Sequence, residues 1–280
     1  MQPLTLSGLF VYPVKSLKGI PLQAAELTGK GLLHDRRWMV VRPEGRFVTQ
    51  REEPRLALVH TRLDEHGVTL WREGNGSVFL PFDRSGGAPV RTRVWGDDCE
   101  AEDEGEEAAR WLTTAIGGET PLRLVRMAPG FQRPPNAAAR FGADTRIDFA
   151  DAAPLLVTSE GSLEALNREL LTGGHAAVPM NRFRPNLVVR GLAPFAEHGL
   201  SRLAGDGWEI SLVDHCERCL VPTVDQQTGV RDPAREPYLT LRRINPAPGP
   251  KPAPAFGVNA KVANGAGRRL AVGAVVTVGA

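Results

Sequence analysis

The sequence has little cysteine: three residues in 280, at positions 99, 216 and 219. That is too few for a disulfide framework and too few for a closed tetrahedral zinc site, which takes four Cys or His donors. Six histidines do not make up the shortfall, because His215 abuts Cys216 and His34, His60, His66, His175 and His198 follow no ligand spacing. Four cysteines with ferredoxin spacing are also missing, which excludes an iron–sulfur cluster held by this sequence. No apolar run approaches the roughly 20 residues of a membrane span, so no membrane association is expected. The opening MQPLTLSGLFVYPVKS has no basic segment followed by a cleavable apolar core and reads as a first strand. Excess charge is absent too: 34 basic against 32 acidic residues leave a net +2, with no footprint for nucleic acid. Sparse cysteines and no export signal point to a reducing, cytoplasmic setting.

What the sequence does contain is a dense strand pattern. LSGLFVYPV, WMVVRP, RFVTQ, LALVHTRL, GVTLWRE and SVFLPF are short apolar or alternating runs bounded by Gly, Pro, Asp and Asn, which predicts strands and hairpins. DCEAEDEGEEAARWLTTAIG predicts the first helix, with acidic residues at its positive end and Gly117-Gly118 as its stop. FADAAPLLVTSEGSLEALNRELLTGG predicts a strand, a turn and an amphipathic helix with Leu163, Leu166 and Leu170 on one face. NLVVRG, GWEISLVD, RCLVPTVD, YLTLRRI, FGVNAKV and RLAVGAVVTV return to strand. Pro129 to Arg140 and Pro246 to Gly257 read as loops, the first as the most mobile segment or a boundary. The expected fold class is α+β, mainly β, with an N-terminal β-rich domain over 1–120 and a β-barrel domain with a few helices over 121–280.

Chemistry concentrates in HCERCLVPTVDQQTG, from His215 to Gly229. A thioredoxin-type Cys-x-x-Cys opens a helix whose N-terminus lowers the thiol pKa. Here Pro222 and the β-branched Val221, Thr223 and Val224 favour strand and loop. The pair is therefore either two inert small residues or a place where one thiolate, Cys219, binds a single soft cofactor metal. Anion-binding residue types recur elsewhere. Lys15-Ser16, after a Pro13 turn, offers an ammonium and a hydroxyl, or a solvated turn. Arg36 offers a planar fork for phosphate, or an ion pair with Asp35. Thr158-Ser159 lies where a strand feeds a helix and makes an anion site at the helix N-terminus, or only an N-cap. Arg184 and Asn186 flank Pro185 at the entrance to a strand, where an Arg reads an anion and an Asn reads a polar ring edge, or where the Asn merely shapes a turn. Arg218 faces the site or points away, and Asp225 is catalytic or caps the Gln226-to-Gly229 turn.

Read in order, Tyr12-Pro13-Val14-Lys15-Ser16, Asp35-Arg36-Arg37-Trp38, Arg51-Glu52-Glu53-Pro54-Arg55-Leu56, Phe183-Arg184-Pro185-Asn186, Cys216 to Gly229 and Glu236-Pro237 resemble the MOSC-domain proteins that bind molybdenum cofactor. The likeness is nearest to the mitochondrial amidoxime-reducing component and its bacterial relatives, and runs from about Leu6 to Val278. It implies a MOSC N-terminal β-barrel-like domain at 1–120 and a MOSC domain at 121–280. It implies a Mo-molybdopterin cofactor whose metal ligand and catalytic residue is Cys219, held by Lys15, Ser16, Arg36, Thr158, Ser159, Arg184, Asn186 and Arg218, with Cys216 in a packing role. The activity implied is reduction of small N-hydroxylated substrates, namely amidoximes, hydroxylamines and N-hydroxylated bases. Electrons would come from a separate ferredoxin, cytochrome or flavin reductase. Unlike the mitochondrial relatives, the sequence has no visible targeting segment or anchor. The alternatives are a non-catalytic cofactor-binding or sulfur-carrier protein that uses Cys219, and an interaction protein with a dead site.

Overall fold

Alternating apolar runs need partners on both edges, and the chain supplies them from far apart in sequence. A computed structural model describes residues 3–84, 86–250 and 252–279. Its largest sheet has eight strands in the order Thr277–Gly279, Arg202–Gly205, Trp208–Glu217, Ala255–Asn264, Leu155–Ser159, Leu187–Arg190, Thr5–Val11 and Ile20–Leu22. Among the described residues the one parallel pairing in that sheet is Leu155–Ser159 beside Leu187–Arg190, which needs a crossover, and helix Glu160–Thr172 provides it. A small ribbon of Ala24–Thr28, Gly31–Leu32 and Arg269–Ala271 shares the same core, where Leu6, Leu9, Leu27, Val157, Leu187, Ile210, Val258 and Leu270 meet. A second core gathers Trp38, Val40, Leu56, Val68, Leu70, Leu112 and Leu124. It lies among the meander His60–Asp64, Gly67–Trp71, Ser77–Pro81, the sheet Trp38–Val41, Arg123–Met127, Asp97–Asp103, Pro89–Val94 and helix Glu106–Ile116.

The strands do not sort by a cut near residue 120. Thr5–Val11 hydrogen-bonds to Leu187–Arg190 in the C-terminal sheet, and Arg123–Met127 hydrogen-bonds to Trp38–Val41 on the N-terminal side. Each half of the sequence thus completes a sheet of the other.

Local expectations hold where periodicity is long and change where it is short. Helix Glu106–Ile116 begins with Glu106 and Glu107 and stops at left-handed Gly117 (φ 66°), as its caps predict. The preceding Asp97–Asp103 is a strand, because Cys99, Ala101 and Asp103 alternate inward between two partners. YLTLRRI, expected as a strand, is helix Tyr238–Ile244. Oε2 of Glu236 accepts the Thr240 N–H at 3.0 Å, and Leu241 fills a cluster with Leu166, Leu170, Phe183 and Phe256. Seven residues satisfy either period, so packing decides. RCLVPTVD holds a single 3₁₀ turn, Val221–Thr223, and one isolated bridge from Val224 to Arg231, and the start of LALVHTRL lies in the 3₁₀ helix Pro54–Leu58. The 129–140 segment is tied down by Arg133, 1% exposed, which bonds Asp97 and the carbonyls of Asp148 and Ala150. Among the described residues no helix is long and apolar enough to cross a membrane.

Candidate functional site

A cleft of about 390 Å³, within the range of small-molecule sites, opens where turns of the N-terminal region face the C-terminal sheet. Its lining takes Lys15, Ser16, Arg36, Thr49, Arg51 and Trp95 from the first half of the sequence and Asp151, Arg184, Asn186, Cys216, Arg218 and Cys219 from the second. The long strand Trp208–Glu217 reaches it through irregular pairing. Its register with Ala255–Asn264 shifts between Leu212 and Asp214 and again between His215 and Glu217. A regular strand sends successive side chains to opposite faces, whereas these bulges let Asp214, His215, Cys216 and Glu217 all border the cleft. The chain then turns, so that Cys219 stands exposed on the wall while Cys216 is half-buried.

The cationic wall is built around one ring. Guanidiniums of Arg36 and Arg184 each lie 4.3 Å from the centroid of buried Tyr12. Arg36 donates to Asp35 Oδ2 at 2.5 Å, to Asn186 Oδ1 at 3.1 Å and to the Arg184 carbonyl at 3.1 Å. The ion pair with Asp35 and a place on the cleft are therefore both true of Arg36. Asn186, 2% exposed, also accepts the Leu156 N–H and donates to the Phe10 carbonyl, so its amide positions Arg36. Arg184 donates to the Leu17 carbonyl at 2.7 Å, and burial pulls its pKa down to about 10, still a cation at neutral pH. Burial pushes Tyr12 up to about 12 against the opposing pull of the two arginines, so its hydroxyl stays neutral. Ser16 (φ 70°), Arg36 (φ 49°), Trp95 (φ 57°) and Arg184 (φ 57°) all hold left-handed backbone conformations. Arg184 does so directly before Pro185, where extended backbone is preferred. Such strain concentrates where surrounding structure fixes a functional surface.

Lys15, 4% exposed, donates to the Phe149 carbonyl at 2.8 Å and to Asp151 Oδ1 at 2.7 Å. Burial lowers the Lys15 pKa and Asp151 opposes that fall. Around Asp151 the walls disfavour charge, but the Lys15 ammonium and hydrogen bonds from Lys15 and Trp95 outweigh them and hold its carboxyl well below the usual range. Asp151 nevertheless presents an exposed face to the cleft. Arg218 donates to Cys216 Sγ at 2.8 Å and to the Phe183 carbonyl at 2.8 Å. Burial pushes the Cys216 thiol up, and Arg218 partly reverses the shift.

Of the eight sequence-predicted residues besides Cys219, six converge with it. Lys15, Ser16, Arg36, Arg184, Asn186, Arg218 and Cys219 share the cleft. Thr158 and Ser159 lie outside its lining. The cleft touches the start of their strand at Leu155 and Leu156, and three residues further is about 10 Å away. Thr158 Oγ1 faces Met180 Sδ and the Leu187 carbonyl at 3.4 Å each, and Ser159 precedes its helix without a side-chain cap bond. Asp225 is a turn cap: Oδ1 accepts the Gln227 and Thr228 N–H groups, and Oδ2 pairs with Arg182 at 2.7 Å. Arg51 entered the sequence reading only as part of the Arg51-to-Leu56 motif, with no role given to it, and neither Asp151 nor Trp95 was singled out. Only the Trp95-Gly96 turn signal between two alternating runs could have drawn attention to the last.

The donor set is left incomplete by the protein itself. Three lining residues, Arg184 (Nη2), Arg218 (Nε) and His215 (Nδ1), have buried atoms without a hydrogen-bond partner, and so does Tyr12 Oη behind them; Ser159 Oγ, Asn181 Oδ1, Arg182 Nε and His198 Nε2 are unpaired away from the lining. Buried polar atoms are nearly always paired, so orphans gathered around one cleft mark a place for a polar ligand. Six cationic side chains (Lys15, Arg36, Arg51, Arg140, Arg184, Arg218) face three carboxylates (Asp151, Asp214, Glu217) there, which gives that ligand negative charge.

Known proteins share this plan. Residues 3–119 match the MOSC N-terminal beta barrel domain and residues 144–277 the MOSC domain. The human mitochondrial amidoxime-reducing component 1 is 37% identical over 245 residues, covering 85% of this chain and 71% of its own. The mouse component 1 is 36% identical over 246 residues (85% and 70%), and the cattle component 2 is 34% identical over 249 residues (85% and 71%). The chain belongs to the family that joins a MOSC N-terminal β-barrel domain to a MOSC domain and includes the mitochondrial amidoxime-reducing components.

Proposed function

We propose that this protein is a molybdenum-cofactor-dependent oxidoreductase that reduces N-hydroxylated small molecules. The observation that carries the reading is an exposed thiol, Cys219, in the same cleft as arginines with buried, unpaired donors. A soft metal takes the thiolate, and a phosphate-bearing pterin takes the guanidinium forks and the Lys15-Ser16 turn. The donor chemistry fits the cofactor at both ends.

When bound, the cofactor supplies two-electron redox chemistry at the metal. The chain's own groups do the rest. Cys219 would hold the metal, and Arg184 and Arg218, whose Nη2 and Nε lack partners within the protein, would hold the anionic and polar groups of the pterin. Asn186 and Asp35 fix the angle of Arg36. Asp151, ionised and anchored by Lys15 and Trp95, orients a donor of the substrate, such as the amidoxime N–H. The net conversion takes an N–OH group, two electrons and two protons to N–H and water. Electrons arrive from a separate ferredoxin, cytochrome or flavin reductase. A reducing, cytoplasmic setting belongs to the same reading, because it would keep Cys219 available as a thiolate.

The test is molybdenum by elemental analysis and released pterin by fluorescence, on wild type and Cys219→Ser produced in a cofactor-making host. Benzamidoxime reduction is followed with a reduced viologen dye as donor. Near-stoichiometric cofactor and turnover in the wild type, with turnover abolished in the variant, support the reading. A folded wild type that binds neither metal nor pterin rejects it. A persulfide on Cys219 without molybdenum would favour the sulfur-carrier alternative.

A further inference from the structure

Trp95 lines the cleft but is not among the residues, Cys219, Arg184, Arg218, Arg36, Lys15 and Ser16, that would hold the cofactor. Among the described residues it is the exposed aromatic ring of the lining, at 41%, whereas Phe183 behind the wall is fully buried. Its backbone is unusual. Trp95-Gly96 is a two-residue turn, with Val94 opposite Asp97, and Trp95 has φ 57°. Such turns favour glycine at the first central position, and a bulky residue there is an outlier. Here the indole takes the first position and Gly96 the second.

That conformation aims the ring and locks it. The indole Nε1 donates to Asp151 Oδ1 at 2.9 Å. Its ring meets Phe47 edge-on, with centroids 5.2 Å apart at 74°, and the Arg51 guanidinium lies 4.1 Å from its centroid. Arg133 braces the turn, since Nε and Nη2 bond Asp97 Oδ2 at 3.0 and 2.8 Å while Nη1 holds the Asp148 and Ala150 carbonyls on either side of Phe149. The result is a rigid indole paired with a planar cation, in the same lining as Cys219. Flat conjugated groups gain from stacking on such a surface, and a methyl group gains far less.

We propose that Trp95, backed by Arg51, is the substrate-discriminating platform of this cleft, favouring N-hydroxylated substrates that carry a planar conjugated group over small aliphatic ones. This deepens the N-hydroxy-reductase reading and rests on it. Benzamidoxime and acetamidoxime share the reacting group and differ as phenyl against methyl, which makes them the probes. On molybdenum-loaded protein, Trp95→Leu has a KM for benzamidoxime about tenfold above that of Trp95→Phe, which equally lacks the bond to Asp151, whereas the two variants reduce acetamidoxime with kcat/KM within about twofold of each other. Trp95→Phe, which keeps a ring and loses the bond to Asp151, retains most of the preference. Equal losses on both substrates would assign Trp95 to holding Asp151, and no loss on either would assign it no role; each overturns the proposal.

A second readout does not depend on turnover. Benzamidoxime quenches the tryptophan fluorescence of the wild type saturably, and Trp95→Leu loses that component; quenching undiminished in the variant overturns the proposal. Should the wild type reduce neither amidoxime yet show Trp95-dependent quenching, the reductase reading fails and the planar-ligand platform stands.

Discussion

Two arginine clusters in this molecule have opposite fates. Around Glu104 the guanidiniums close on the protein. Arg126, 2% exposed, donates Nε to Glu104 Oε1 at 2.5 Å and its remaining nitrogens to the carbonyls of Pro81, Phe82 and Arg84. Arg84 pairs with Oε2 of the same carboxylate at 3.0 Å, and the Trp38 indole donates to Oε1 at 2.6 Å. In the cleft, Arg184 Nη2 and Arg218 Nε are buried and unpaired. Positive charge is common to both clusters. Unspent hydrogen-bonding capacity belongs to one, and it is the better marker of a ligand site.

Breaking the closed cluster has the largest effect on stability. Arg126→Ala leaves the Glu104 carboxylate, 5% exposed, without its main partner and costs about 3–5 kcal/mol, read from denaturant midpoints. Cofactor per folded molecule stays unchanged. Opening the other cluster does the reverse. Arg184→Met removes a buried cation with no carboxylate bonded to it, so unfolding shifts by no more than about 1 kcal/mol, while retained pterin falls at least about tenfold. Pterin retained at the wild-type level after gel filtration would erase the contrast between the clusters.

A smaller effect comes from one histidine beside each cluster. His34, stacked on Phe82 at 3.9 Å, is pulled down to about 4 by burial and then by Arg37. His198, stacked on His215 at 4.2 Å, is pulled down to about 4 by burial and then by His215. An unfolded histidine takes up its proton near pH 6.5, so between that pH and about 4 the unfolded chain binds more protons than the folded one. Stability therefore declines as pH falls through this window. Urea midpoints against pH should show a shallower decline in His34→Phe and in His198→Asn than in the wild type. Identical slopes in all three proteins would remove both histidines from the account.

What the sequence determined by itself was what neighbours along the chain encode. Long alternation marked most strands, acidic residues and Gly117 bounded helix Glu106–Ile116, and local motifs pointed to Lys15, Ser16, Arg36, Arg184, Asn186, Arg218 and Cys219, all of which border one cleft. Tertiary structure alone decided the rest. A seven-residue run satisfied two periods, so Tyr238–Ile244 became a helix when Leu241 found its cluster. Thr158 and Ser159 carry suitable hydroxyls, yet the cleft meets the other end of their strand. Asp151 is bonded by Lys15 from 136 residues away and by Trp95 from 56, and buried Arg133 braces that turn. Short-range periodicity sets which face of an element is apolar. Which distant element covers that face, and which polar groups are then stranded beside one another, depends on packing the whole chain at once.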